Sequence, residues 1–174
     1  MGILDSFPGQ WMPIDRGGAR ISIDYPHHEI HAGNHYTVSY SKALSAGSVL
    51  AVLVTSPSTG NMHCTAGMQT SLSGTFTFSQ NPSTSVGSTL TIWNNNLTSA
   101  NTSGSVFIGT PSITTVGTTI STFILGTNDK QNGIGGTADS RNEFILATST
   151  SYLLAFTANA TSTFSSINVS FYVE

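Results

Sequence analysis

Short runs of alternating apolar and polar residues, separated by turn-forming residues, make up most of the chain. In residues 75–78 and 89–93 every second residue is apolar, which is the period of a strand with one buried face. Residues 49–54 are apolar at every position, which predicts a central strand covered on both faces. No segment has a sustained helical period, so we predict an all-β domain.

The turn-forming residues divide this pattern into roughly ten strands, the number typical of a β-sandwich or barrel. We expect a jelly-roll-like arrangement. The predicted strands lie near residues 28–31, 35–41, 49–55, 62–65, 74–78, 89–93, 106–108, 120–125, 143–148, 151–157 and 167–173. The stretches 79–88 and 94–104, rich in Ser, Thr, Gly and Asn, are predicted to be ordered loops, because their side chains hydrogen-bond nearby backbone.

The first 26 residues follow neither period. Their prolines and glycines predict an extended arm, residues 1–26, with a short strand at 20–24, before a β body of residues 27–174. The arm carries four large apolar side chains, which need burial against the chain's own body or against a neighbouring subunit. These are Phe7, Trp11, Met12 and Ile14.

Charge is confined to the two ends of this pattern. No Asp, Glu, Lys or Arg lies between Lys42 and Asp129, and only 7% of the chain is charged, whereas about a quarter is usual. The polarity comes instead from 26 Ser and 25 Thr. A chain of this kind has few acids and bases for chemistry, and its composition favours a packing surface.

The charge and hydropathy exclude several classes of partner. The net charge is −3 and the basic residues form no cluster, so nucleic-acid binding is not expected. No apolar run approaches the ~20 residues that span a bilayer, so no membrane association is expected. The start of the chain lacks the features of a signal peptide, which predicts synthesis in a cytoplasm. Cys64 is the single cysteine, and its setting predicts a small buried apolar residue.

One cluster could bind a metal. Residues 27–35 hold four of the five histidines together with Glu29. On a strand, alternate members would share a face, and on a helix His31 and His35 would lie one turn apart. The weak candidate ligands are His28, His31, His35 and Glu29. The H-E-x-x-H signature is absent, and a cupin-like centre would also need the distant His63. The favoured interpretation is a set of hydrogen-bonded imidazoles at a strand start or subunit junction, with no cofactor.

Catalytic carboxylates and nucleophiles are not indicated. The chain has no G-x-S-x-G motif, and the one plausible carboxylate pair, Asp139 with Glu143, flanks Arg141. Because the two carboxylates flank Arg141, we predict a local salt bridge in preference to a glycosidase site. Arg141 is expected to form a fork-like pair with Asp139 or Glu143, within the chain or across an interface. We therefore predict that the protein is not an enzyme.

Seven short motifs, in this order, resemble those of small virion proteins of tailed bacteriophages, known as head decoration, cement or minor structural proteins. The resemblance covers about residues 27 to 174. The motifs are His28-Glu29-Ile30-His31-Ala32-Gly33, Trp93-Asn94-Asn95-Asn96, Gly117-Thr118-Thr119-Ile120, Ile134-Gly135-Gly136, Arg141-Asn142-Glu143-Phe144-Ile145-Leu146, Thr150-Ser151-Tyr152-Leu153-Leu154 and Phe171-Tyr172-Val173-Glu174.

The resemblance implies a β-rich decoration protein, a homotrimer, seated on the outer surface of an icosahedral head and bridging capsomers of the major capsid protein. It implies no catalytic residues. The expected interface residues are Phe7, Trp11, Met12, Ile14, Arg16 and Arg20 in the arm, and Arg141 and Glu143 in the late charged segment.

Two other hypotheses remain open from the sequence. The chain could be a tail or fibre component whose Ser, Thr and Asn loops contact host glycans. It could also be a small cupin-like metal-dependent enzyme that uses the histidine segment.

Overall fold

The computed structural model describes residues 25–71, 73–125, 132–134, 143–159 and 162–174. These contain one helix, α1 (Tyr25–Ala32), and fourteen strands. The strands are β1 (His35–Leu44), β2 (Val49–Thr55), β3 (Met62–Thr70), β4 (Gly74–Gln80), β5 (Ser83–Ser85), β6 (Ser88–Thr89), β7 (Trp93–Asn94), β8 (Val106–Gly109), β9 (Ser112–Thr115), β10 (Thr118–Leu125), β11 (Asn132–Ile134), β12 (Phe144–Leu146), β13 (Ser151–Ala158) and β14 (Ser162–Val173).

Two antiparallel sheets form a sandwich. Sheet 1 has the order β11-β3-β14-β1-β7, and β12 also pairs with β3. Sheet 2 has the order β10-β4-β13-β2-β8-β6. The connections from β1 to β2, from β3 to β4 and from β13 to β14 each pass from one sheet to the other. The chain therefore alternates between the two sheets that enclose the core.

The strand order is that of a jelly roll. With β1, β2, β3, β4, β10, β12, β13 and β14 numbered one to eight in chain order, sheet 1 becomes 1-8-3-6 and sheet 2 becomes 2-7-4-5. This double-sheet arrangement leaves most strands paired on both sides and few exposed edges. The predicted all-β, jelly-roll-like fold is confirmed.

Residues 81–117, here called the insertion, lie between the fourth and fifth strands of this jelly roll. The insertion adds β7 beside β1 in sheet 1. In sheet 2 it adds β8 beside β2, and β6 beside β8. Its remaining strands, β5 and β9, form a small third sheet, from which Ile113 packs on Ala51, Leu153 and Ala155 of sheet 2. The insertion thus covers part of the outer face of sheet 2.

The core consists of inward-facing aromatic and aliphatic side chains from both sheets. Phe76, Phe107, Phe156 and Phe171 are almost completely buried, and the rings of Phe107 and Phe171 stack with centroids 5.3 Å apart. Cys64 is buried as predicted, and burial, followed by the charge of Glu143, raises the pKa of its thiol to about 12.

Most predicted strands are confirmed. The apolar segment 49–55 is β2, which lies between β13 and β8 in the interior of sheet 2. In β4 the alternation also holds, because Phe76 and Phe78 are buried while Thr75 and Thr77 are half-buried on the other face. Hydroxyl groups opposite aromatic rings are therefore sufficient to orient a strand in this nearly uncharged chain.

The strand predicted at 28–31 is wrong, because this segment belongs to helix α1. The helix ends in a Schellman motif: the Asn34 amide donates to the Glu29 carbonyl at 2.9 Å, and the Gly33 amide donates to the Ile30 carbonyl at 3.1 Å. Gly33 has φ +77°, which glycine adopts without a Cβ penalty. This local signal, Ala32-Gly33-Asn34, outweighed the weak alternation of the histidines.

The strand predicted at 89–93 is also wrong. Thr89 pairs with β8 in sheet 2, whereas Trp93 pairs with β1 in sheet 1. The residues between them cross from one sheet to the other, so they cannot form one strand.

The loop predicted at 79–88 contains β5 and the end of β4, and β5, β9 and β11 were not predicted. The strand predicted at 20–24 lies outside the described residues, as do residues 1–24 of the predicted arm. The last two residues of that arm, Tyr25 and Pro26, are not extended but begin helix α1.

Candidate functional site

Three aromatic side chains stand in one row across the outer face of sheet 1. The register pairs His35 of β1 with Tyr172 of β14, and Tyr172 with His63 of β3. The His63 and Tyr172 rings stack with centroids 4.5 Å apart, and the His35 and Tyr172 rings lie nearly parallel at 6.3 Å. We call His35, Tyr172 and His63 the aromatic row.

Two carboxylates flank His63, the histidine at the β3 end of this row. His63 Nδ1 lies 2.9 Å from Glu143 Oε1, and His63 Nε2 lies 3.5 Å from Glu174 Oε2. Both ring nitrogens therefore face carboxylates, which leaves neither directed at a hydroxyl nucleophile. The geometry does not form the base of a Ser-His pair.

Helix α1 covers the middle of the aromatic row. The Tyr25 ring meets Tyr172 edge to face, with centroids 5.6 Å apart. A hydrogen bond with Glu174, followed by burial and the charge of Glu29, raises the pKa of Tyr25 to about 12. Tyr25 of helix α1 is thus linked to Glu174, the residue after β14.

Glu29 is the buried acid of helix α1, with 5% of its surface exposed. Its two oxygens lie 3.1 Å from His28 Nδ1 and 3.2 Å from Asn34 Nδ2. A buried carboxylate of this kind needs such donors to offset its lost hydration. On the exposed side of the helix, His27 and His31 contact each other through their Nε2 atoms at 3.0 Å.

His35 is held in one tautomer by its neighbours. Thr37 Oγ1 donates to Asn95 Oδ1 at 2.8 Å, so the Asn95 amide nitrogen is the donor to His35 Nδ1 at 2.7 Å. His35 Nδ1 is then an acceptor, and its Nε2–H faces Ser170 Oγ at 3.4 Å. Burial lowers the pKa of His35, an effect that the charge of Glu29 partly opposes.

All five histidines and three carboxylates gather at this end of the sandwich, in the part of the chain that the structure describes. A cavity of about 200 Å³ lies among them. Its lining residues are Pro26, His35, His63, Thr65, Glu143, Ser170, Phe171 and Tyr172.

The candidate metal ligands come to the same end but do not converge. His28 and Glu29 bond to each other, His31 bonds to His27, and His35 faces Asn95 and Ser170. Within the described ranges, no three metal-ligating side chains surround one point. These residues also lie outside the sandwich, whereas a cupin-like centre requires ligands in its interior.

The predicted interface residues are mostly outside the described chain. These are Phe7, Trp11, Met12, Ile14, Arg16, Arg20 and Arg141. Glu143 is described, and it lies on His63.

The sequence did not identify the partnership of His63, Tyr172 and Glu174. Alternation along β3 and β14 places the first two on an outer face, but their meeting depends on the register between residues 109 positions apart in the chain. No local pattern encodes that register.

Beyond the aromatic row, the outer face of sheet 1 carries hydroxyls and amides. Ser39 Oγ donates to Asn168 Oδ1 at 2.6 Å, and the Asn168 amide donates to Ser166 Oγ at 3.3 Å. At one edge Trp93 pairs with Thr37 and is 62% exposed, and at the other edge Ile145 pairs with His63 and is 64% exposed. We call this surface the neutral face.

Comparison of the chain with models of protein families, with curated protein sequences and with solved structures gives no match. Among the described residues, no helix has the length and apolar character needed to cross a membrane.

Proposed function

We propose that the protein is a bacteriophage capsid decoration protein that binds the outer surface of the head and stabilises contacts between capsomers of the major capsid protein. The observation that carries this proposal is the neutral face, which offers hydroxyls, amides and two exposed apolar side chains, Trp93 and Ile145. The motif resemblance to phage decoration proteins supports the same assignment. The proposal includes no catalysis, metal or cofactor.

A neutral surface suits this task for a physical reason. Burying a charge costs several kcal/mol unless a partner compensates it, whereas hydroxyls and amides exchange water for partner groups at small cost. Apolar area contributes about 25 cal/mol per Å² before the cost of association. Many copies with modest contacts can therefore stabilise a shell without any reaction.

The part of the arm that precedes helix α1, residues 1–24, supplies a second contact in this proposal. Its apolar residues, among them Phe7 and Trp11, precede Tyr25, which packs on Tyr172 beside the neutral face. We propose that the arm reaches neighbouring capsid subunits while the neutral face lies on the subunit below.

Removal of residues 2–19 tests the arm. The truncated protein should stay folded and oligomeric, and its binding to capsids that lack this protein should fall at least tenfold, because several apolar anchors are lost. Co-sedimentation with such capsids measures the binding. Undiminished binding would show that the arm makes no capsid contact.

Substitution of Trp93 tests the neutral face. Trp93→Ala should weaken capsid binding about tenfold or more, as expected for a large aromatic contact residue. Ile124→Ala, at an exposed residue of β10 in sheet 2, is the matched control and should have little effect. Equal effects of the two substitutions would place the contact elsewhere.

The position on the particle separates the two virion hypotheses. Gold-labelled protein viewed by electron microscopy should cover the head. A label restricted to the tail or to one vertex would favour a tail or fibre component instead. Sedimentation velocity on the purified protein tests the proposed homotrimer, which a monomer at micromolar concentration would contradict.

A further inference from the structure

A pocket of about 480 Å³ opens between the β1 edge of sheet 1 and the insertion. Tyr36, Leu90 and Ile92 lie on its apolar side, and Asn94, Asn101 and Thr102 lie at its polar rim. Its volume is in the range of small-molecule sites. It is separate from the aromatic row and contains none of the residues used in the proposed capsid contact.

One buried polar group in this pocket has no hydrogen-bond partner among the described residues. Tyr36 is 3% exposed, and its hydroxyl forms no hydrogen bond with any described residue. Among those residues, every side-chain N or O atom cut off from solvent has a partner. The Tyr36 hydroxyl must therefore be open to the pocket, where it can bind a polar group of a ligand.

The rim of the pocket is fixed by hydrogen bonds to the end of helix α1. The side-chain amide of Asn94 donates to the Gly33 carbonyl at 2.8 Å, and the side-chain amide of Asn101 donates to the Ala32 carbonyl at 3.2 Å. On the opposite side, the Leu90 amide donates to the Phe107 carbonyl at 2.8 Å. A ligand would find the pocket already formed, which lowers the entropy cost of binding.

The chemistry of the lining selects the class of ligand. Among the described residues, no Asp, Glu, Lys, Arg or His lines the pocket, so this lining offers no counter-charge for a phosphate, a carboxylate or an amine. Leu90 and Ile92 match an apolar ring face, while the Tyr36 hydroxyl and the rim match hydroxyl groups. A purely apolar ligand would leave those polar groups unpaired, which would weaken its binding.

We propose that this pocket binds a neutral saccharide unit, with the C–H face of the sugar on Leu90 and Ile92 and a sugar hydroxyl on the Tyr36 hydroxyl. This binding is independent of capsid decoration. It would give the assembled particle many weak contacts with neutral glycans, and weak contacts become strong when many copies bind together.

The experiment uses the full chain and a panel of glucose, galactose, mannose, N-acetylglucosamine and their common disaccharides. Saturation-transfer NMR detects binding, and isothermal titration measures it. At least one sugar should bind, and Tyr36→Phe, which removes only the hydroxyl, should weaken that binding about three- to tenfold. Tyr40→Phe, in the same strand but outside the pocket lining, is the matched control and should bind like the original protein.

A second variant fills the pocket. Thr102 is exposed at the rim, so Thr102→Trp should abolish binding without altering the fold, whereas Thr122→Trp on β10, at the opposite edge of the sandwich, should not. If no sugar binds at a concentration of about 10 mM, which would reveal even weak binding, the proposal is overturned. Unchanged sugar binding by Thr102→Trp, or binding of aromatic peptides in place of sugars, would also overturn it. Capsid co-sedimentation of the same variants reports separately on the decoration proposal.

Discussion

His35 is buried, whereas the other four histidines are half-buried or exposed. Its Nδ1 accepts a hydrogen bond from Asn95, so a proton on that nitrogen would face a donor. Burial lowers its pKa below the ordinary value of 6.5. This single side chain links the stability of the sandwich to pH.

The sign of that dependence follows from proton binding. Below pH 6.5 the unfolded chain binds a proton at His35, while the folded chain, with its lowered pKa, still resists it. The unfolded state is then favoured. Stability from this group is complete above pH 6.5 and is lost as the pH falls toward the folded-state pKa, by up to about 1.4 kcal/mol per pH unit.

Urea unfolding at pH 7.5 and 5.5 measures this effect. Between these values the original protein should lose more stability than His35→Gln, which keeps a polar side chain without a titrating ring. His31→Gln, at an exposed histidine of helix α1, is the control and should show the pH dependence of the original protein. Identical pH dependence in all three proteins would assign the acid sensitivity to groups other than His35.

The end of helix α1 shows how one glycine fixes an element in place. Gly33 has φ +77°, and a Cβ at this position would lie only 2.7 Å from Ser99 Cβ in the insertion. The same turn therefore needs glycine twice, once for its backbone conformation and once for the close approach of the 94–101 loop. That loop also forms the rim of the saccharide pocket.

Two alanine substitutions separate these requirements. Gly47 has φ +76°, but a Cβ at this position would have no other atom within 4 Å. Gly47→Ala should therefore cost only the backbone strain, about 1 kcal/mol. Gly33→Ala should cost this strain plus the displacement of Ser99, about 2–4 kcal/mol in total. Chemical denaturation measures both. Equal losses would mean that the 94–101 loop moves away freely.

The insertion belongs to the core of the molecule and is not a loop attached to its surface. Phe107 of β8 is fully buried and stacks on Phe171 of β14, which joins the insertion to the last strand of the jelly roll. The insertion also covers part of sheet 2 through β9. The neutral face lies on the other sheet, beside the aromatic row and helix α1.

Phe107→Ala should therefore destabilise the whole domain by about 3–5 kcal/mol, the usual cost of an aromatic deletion in a core. Leu97→Ala, in the same insertion but 82% exposed, should change stability by less than about 0.5 kcal/mol. Guanidinium unfolding followed by tryptophan fluorescence measures both variants. A small loss for Phe107→Ala, with a separate early transition, would show that the insertion unfolds alone.

Local pattern determined the strands, because alternation reports which face of a strand is buried wherever one face meets the core. It correctly located β2 as an interior strand and Cys64 as a buried residue. It failed at 28–31, where the C-terminal cap at Gly33 favours a helix, and at 89–93, where the chain crosses between sheets. In both segments the deciding interactions are with backbone groups or strands that alternation does not describe.

By itself, the sequence determined an all-β fold with a nearly uncharged body, since composition and period are properties of the chain alone. The tertiary structure decided the jelly-roll strand order, the contacts of His63 with Glu143 and Glu174, and the pocket that Tyr36 lines. These depend on the register between distant strands. Register is set by the packing of the whole core, in which each strand is aligned by its neighbours, so no segment of the chain contains it.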